Sequence, residues 1–124
     1  MTSVLVVDDD ETIRQLVTHR LEASGYEVRA CKDGREAADL LDGECDPDLV
    51  VLDVMMPRLN GTRLARMVRN GELSVRPDLP IVMLTSRGRE EHVLEGFEAG
   101  VDDYISKPFR SSELLARISR HIGV

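Results

Sequence analysis

Three short, unbroken apolar runs constrain this chain most: Val4-Leu5-Val6-Val7, Leu49-Val50-Val51-Leu52 and Ile81-Val82-Met83-Leu84. A strand half exposed to water alternates apolar and polar residues, whereas a strand with no polar residue must be covered on both faces. These three runs therefore belong in the middle of a parallel sheet with helices on either side. Glu27-Val28-Arg29-Ala30-Cys31 and Tyr104-Ile105 read as two further strands with weaker patterns.

Helical spacing fills the intervals. Ile13, Leu16, Val17 and Leu21 make one stripe, Ala37, Ala38, Leu40 and Leu41 a second, and Leu64, Met67 and Val68 a third. Val93, Leu94 and Phe97 make the fourth, and Leu114, Leu115, Ile118 and Ile122 the fifth, each expected to face the core. Asp10, Asp33, Asn60 and Ser111 or Ser112 stand where helix N-caps are expected, and Gly25, Gly71 and Gly100 follow the first, third and fourth helices as terminators. Strand and helix thus alternate five times, the pattern of an α/β (βα)5 domain. Right-handed crossovers favour a doubly wound, flavodoxin-like five-stranded parallel sheet in the order 2-1-3-4-5, with its switch point between the first and third strands.

That order gathers chemistry at one edge. Asp8, Asp9 and Asp10 follow the first strand, Asp53 ends the third, Thr85 ends the fourth, and Lys107-Pro108 follows the fifth. Neighbouring carboxylates at about 4 Å repel by roughly 1 to 4 kcal/mol per pair, so one stays protonated or a divalent cation settles among them. The cluster suits Mg²⁺ and a phosphoryl group, with Lys107 supplying a mobile positive charge. Each residue alone has a plainer explanation. Asp8 to Asp10 could form only a turn and cap, with Asp10 as the cap; Thr85 could bond to backbone; Lys107 could be an ordinary surface lysine. Asp53 is harder to dismiss, because a charge at the buried end of a central strand is costly unless matched.

The chain has 124 residues, 42% hydrophobic and 31% charged, which fits one domain over residues 1–124 with no effector domain. A net charge of −7 and a pI near 4.9 argue against nucleic acid and anionic membrane as partners. No apolar stretch approaches the roughly 20 residues of a membrane span, and Met1-Thr2-Ser3 leads into a strand without a basic leader. A cytoplasmic location is expected, with Cys31 and Cys45 as free thiols.

Four segments together resemble the receiver domains of two-component response regulators: Val6-Val7-Asp8-Asp9-Asp10; Leu52-Asp53-Val54-Met55-Met56-Pro57 with Asn60-Gly61; Leu84-Thr85-Ser86; and Asp102-Asp103-Tyr104-Ile105-Ser106-Lys107-Pro108-Phe109. The resemblance covers essentially the whole chain. It implies that Asp53 accepts a phosphoryl group from a phosphohistidine on a sensor histidine kinase or histidine phosphotransfer protein. It further implies that Asp9, Asp53 and the Met55 carbonyl hold Mg²⁺, with Asp8 reaching the ion directly or through water. Thr85 and Lys107 would bind phosphoryl oxygens, Tyr104 would be the aromatic switch residue, and the Lys107-Pro108 bond would be cis.

The same resemblance carries further expectations. The side chains two positions after the phosphoacceptor and two after the switch threonine, Met55 and Arg87 here, do not orient water well, so a long-lived phosphoryl state is expected. The last helix resembles that of receivers forming a homodimer through their α4-β5-α5 surface, with Arg117 available to Asp103, yet Val93 and Ala99 stand where charged partners would complete that set. Val93 could equally mark contact with an effector protein. Among rival activities, a Mg²⁺-dependent phosphohydrolase would want a second carboxylate two residues after Asp53, where Met55 stands. A flavodoxin would want hydroxyls and amides in place of Asp8 to Asp10. A non-phosphorylated scaffold receiver would not need Asp9, Asp53, Thr85 and Lys107 together.

Overall fold

The computed structural model describes residues 2–56, 58–86 and 90–122, excluding the side chains of 86 and 90–93. Pro57, Arg87 and the side chain of Val93, on which some of the above expectations fall, lie outside the described residues. Strands and helices alternate as β1 (Ser3–Val7), α1 (Glu11–Ala23), β2 (Glu27–Cys31), α2 (Gly34–Leu41), β3 (Leu49–Asp53), α3 (Gly61–Arg69), β4 (Ile81–Ser86), α4 (Glu90–Ala99), β5 (Asp103–Lys107) and α5 (Ser111–Ile122).

The five strands form one sheet in the order β2-β1-β3-β4-β5, every neighbouring pair parallel. The three apolar runs fill its centre, as their lack of polar residues requires. Alternation along each strand splits the core into two layers. Leu5, Val7, Val50, Leu52, Ile81 and Met83 pack with residues of α2 and α3 on one face, while Val4, Val6, Val51, Val82 and Leu84 pack with residues of α1 and α5 on the other. Each large side chain fully buried there contributes about 1.5 to 3 kcal/mol.

Local chemistry sets the helix ends. Asp10 accepts from the amides of Thr12 and Ile13, Asp33 from that of Glu36, and Asn60 from that of Arg63. Gly25, Gly71 and Gly100 lie at φ of 94°, 74° and 96° just past α1, α3 and α4. The expected serine cap on the last helix is corrected: Ser111 is already the first helical residue, and the Arg110 carbonyl accepts from the amides of Glu113 and Leu114.

A second correction concerns α4. Its apolar residues Leu94 and Phe97 are 66% and 53% exposed, while Gly96 and Ala99 face inward. Leu94 and Phe97 are on the outside because the two small residues let the helix approach the sheet closely and leave these large ones facing out. Arg69 then ties the lower ends of several elements together. Its guanidinium donates to the carbonyls of Gly100 (2.8 Å), Pro77 (2.8 Å) and Leu79 (2.7 Å) and to Asp102 (2.8 Å), whose carboxylate also accepts from the Ile81 amide.

Candidate functional site

Parallel register carries the site residues to the carboxyl edge of the sheet. Asp53 pairs with Leu84, so Thr85 follows one step beyond it; Thr85 pairs with Ser106, and Lys107 follows in turn. From the other side, Val7 pairs with Leu52, which brings Asp8 beside Asp53. The crevice thus falls between β1 and β3, where the strand order reverses.

Asp8 is fully buried and held on every side. Its amide donates to the Cys31 carbonyl at 3.2 Å, its carbonyl accepts from Arg14 at 2.9 Å, and one carboxylate oxygen accepts from the Asp10 amide at 2.9 Å. Asp53 is buried as well, with its Oδ1 facing the Met55 amide at 3.4 Å. Asp9 is exposed, and one oxygen from each of Asp8, Asp9 and Asp53 lies within 4.8 Å of the others. Lys107 spans the two buried acids, its Nζ 3.1 Å from Asp8 Oδ2 and 3.3 Å from Asp53 Oδ2. The Lys107-Pro108 bond is cis. Thr85 is buried at the end of β4.

Electrostatics follow from this packing. Burial, then the neighbouring Asp8, pushes the Asp53 carboxyl up to about 6, against the pull of Lys107 and the Met55 amide. Burial also lowers the Lys107 ammonium, but Asp53 and Asp8 outweigh it and raise the group overall. Three carboxylates face one lysine in the acidic group, so a surplus of negative charge persists. All donors are hard oxygens, the kind that Mg²⁺ prefers.

Asp8, Asp9, Asp53 and Lys107 come together as the sequence suggests, with Thr85 one step along the sheet from Asp53. Asp10 stands apart as a cap, and Met55 is 56% exposed beside Asp53. Tyr104 lies on the far side of Thr85, on the edge strand. No spacing in the chain points to Arg14, whose grip on the Asp8 carbonyl depends on a helical turn bringing them together. Gly61 was visible only as part of a motif: a Cβ there would strike the Asp53 carbonyl and lie 2.7 Å from Leu52 Cδ1. Asp103 is buried at the start of β5 and pairs within the chain with Arg117 and with His121 at 3.0 Å, so the anticipated Arg117 partner is reached intramolecularly.

Comparison with known proteins agrees with this geometry. The family model described as response regulator receiver domain matches residues 4–119. Response regulator MprA of Mycolicibacterium vanbaalenii is 48% identical over 115 residues, covering 93% of this chain and 48% of that protein. The chain therefore spans about half the length of the curated relatives it matches. A crystal structure of a putative response regulator from Chloroflexus aurantiacus superposes with a TM-score of 0.91 at 36% identity, covering 99% of this chain and 98% of that one. The receiver domain of a sensor histidine kinase from Pseudomonas aeruginosa, described with a magnesium ion coordinated in its active-site cleft, has a TM-score of 0.88 at 27% identity and covers 99% and 98% of the two chains. Among the described residues no helix is long and apolar enough to cross a membrane. With five parallel strands ordered 2-1-3-4-5 and this acidic crevice at the switch point, the chain belongs to the response regulator receiver domain family of two-component signalling.

Proposed function

We propose that Asp53 is a transient phosphoryl carrier, loaded from a phosphohistidine on a sensor histidine kinase or histidine phosphotransfer protein. The carboxylate oxygen forms a bond to phosphorus as the bond from phosphorus to the histidine nitrogen breaks, and the imidazole leaves with its electron pair. Such transfer asks the protein mainly for alignment and for positive charge on the phosphoryl oxygens. Mg²⁺, held by Asp8, Asp9, Asp53 and the Met55 carbonyl, would supply much of that charge. The excess of acidic oxygens over the single lysine supports this donor set.

Lys107, already 3.3 Å from Asp53, is placed to follow the incoming group and pair with one of its oxygens. The Thr85 hydroxyl donates to another. Movement of Thr85 toward the phosphoryl group frees space on the sheet beside Tyr104, and Tyr104 turning into it reshapes the surface of α4, β5 and α5 for an effector or a second copy of the chain. The free thiols Cys31 and Cys45 fit a cytoplasmic signalling module.

One observation carries this reading: Lys107 bridges Asp8 and Asp53 at the mouth of the crevice, in a group of three carboxylates. A phosphohydrolase is disfavoured because the position two residues after Asp53 holds the apolar Met55. Incubation with acetyl phosphate and Mg²⁺ separates the alternatives. The carrier takes up one acid-labile phosphate per chain; a hydrolase would release phosphate catalytically, and a scaffold would do neither.

A further inference from the structure

We infer that Gly96 is a positioning residue for Tyr104: the missing side chain in the middle of α4 leaves a seat for the phenol and so sets how readily the ring moves in the switch proposed above. The bearing of the seat on that switch rests on the phosphoryl-carrier reading of Asp53; the seat itself does not.

A glycine inside a helix is unfavourable for the helix itself, so a packing reason is expected. Tyr104 supplies it. A Cβ added to Gly96 would fall on the Tyr104 hydroxyl and against its Cζ, with Cε2 at 3.2 Å. Gly96 is buried, whereas Leu94, Glu95, Phe97 and Glu98 around it are exposed, so among these residues the seat is the inward gap. Phe97 closes its outer side, its ring edge-on to Tyr104 with centroids 5.0 Å apart and planes at 64°. Burial and Glu95 push the Tyr104 hydroxyl up to about 12, against a hydrogen bond with the Gly96 backbone.

The seat also lies where the signal must pass. Tyr104 sits directly across from Met83 on β4, and Thr85 follows Met83 on the same face of the sheet. Any shift of Thr85 therefore opens ground beside Tyr104 and not beside Ile105, which faces the opposite core layer. Alanine at position 96 removes the alternative of staying seated.

The test is a double-mutant comparison on the metal-free protein, followed by beryllofluoride with Mg²⁺ as the phosphoryl mimic. In a Tyr104→Ala background, Gly96→Ala raises the melting temperature by several degrees through helix propensity alone. In the wild-type background the same change gives no gain or a loss, and the Tyr104 ring resonances shift. Tyr104→Leu, which ends short of the seat, repeats the comparison if the alanine variant folds poorly. Gly96→Ala also binds beryllofluoride severalfold more tightly than wild type. Equal thermal increments in both backgrounds overturn the seat, and unchanged beryllofluoride affinity in Gly96→Ala overturns its coupling to phosphorylation. Failure of beryllofluoride to bind any variant instead refutes the carrier reading of Asp53 and with it the coupling, while the thermal cycle still decides the seat.

Discussion

Lys107 Nζ lies between Asp53 Oδ2 at 3.3 Å and Asp8 Oδ2 at 3.1 Å, so a single ammonium group holds two buried carboxylates together. One cation cannot neutralise both, and Asp9 adds a third negative charge nearby. The crevice is thus kept at an electrostatic cost to the fold, which makes its consequences measurable.

Stability of the metal-free domain should fall as pH rises through the Asp53 titration. The Asp53 carboxyl stands at about 6 in the folded protein against an ordinary 3.8, so folding favours its neutral form. The group therefore costs nothing below its unfolded value, and the penalty grows to on the order of 2 to 3 kcal/mol above the folded one. Asp53→Asn should therefore raise the melting temperature by several degrees at pH 7.5 and have little effect at pH 4.5, as read by thermal denaturation in EDTA.

Magnesium binding should oppose that penalty and share its pH dependence. Added Mg²⁺ raises the melting temperature by mass action. Its apparent affinity, measured by calorimetry, falls by about tenfold per pH unit once Asp53 protonates below pH 6. Asp9→Asn leaves the buried pair with Lys107 intact and abolishes most of the Mg²⁺-dependent stabilisation.

Arg69→Ala should be the most damaging single change outside the core. It strands three carbonyl acceptors and the Asp102 carboxylate at the ends of α4, β4 and β5. A loss of about 3 to 4 kcal/mol in urea denaturation is expected. Arg69→Lys should recover little of it, since a lysine cannot span the same fork.

Arg58 should tolerate glycine. It is the only described non-glycine residue at positive φ, at 72°, and its link to Asp33 is long at 3.9 Å with an exposed side chain. Arg58→Gly should leave stability unchanged or raise it by up to about 1 kcal/mol, because relief of the left-handed strain outweighs a weak exposed pair.

Phosphoryl lifetime should depend on Met55, which is exposed beside Asp53 and offers no group to orient water. Met55→Asn combined with Arg87→Glu should speed loss of phosphate severalfold in a decay assay on purified protein. An unchanged rate assigns the lifetime to other groups.

Most of the fold was legible because the strands differ in kind. Val4 to Val7, Leu49 to Leu52 and Ile81 to Leu84 carry no polar residue, which forces them inside, and the strand order then places Asp8, Asp53, Thr85 and Lys107 at one edge. Caps at Asp10, Asp33 and Asn60 were equally plain, being local. What periodicity could not show was orientation on α4. Leu94 and Phe97 repeat like a buried stripe, but the small residues Gly96 and Ala99 win the inner face because they allow closer approach. Contacts made by long side chains across the fold were also hidden: Arg14 on the Asp8 carbonyl, Arg69 on three loop carbonyls, and His121 on Asp103. Their partners are set by tertiary geometry and leave no spacing in the chain.

The most direct measurement is phosphate incorporation from a small phosphodonor with Mg²⁺, read by intact mass on wild type and Asp53→Ala side by side. Wild type should gain one phosphate that is lost on acid treatment or on standing, and the variant none. Incorporation into Asp53→Ala at the wild-type level would contradict the assignment of position 53 as the carrier.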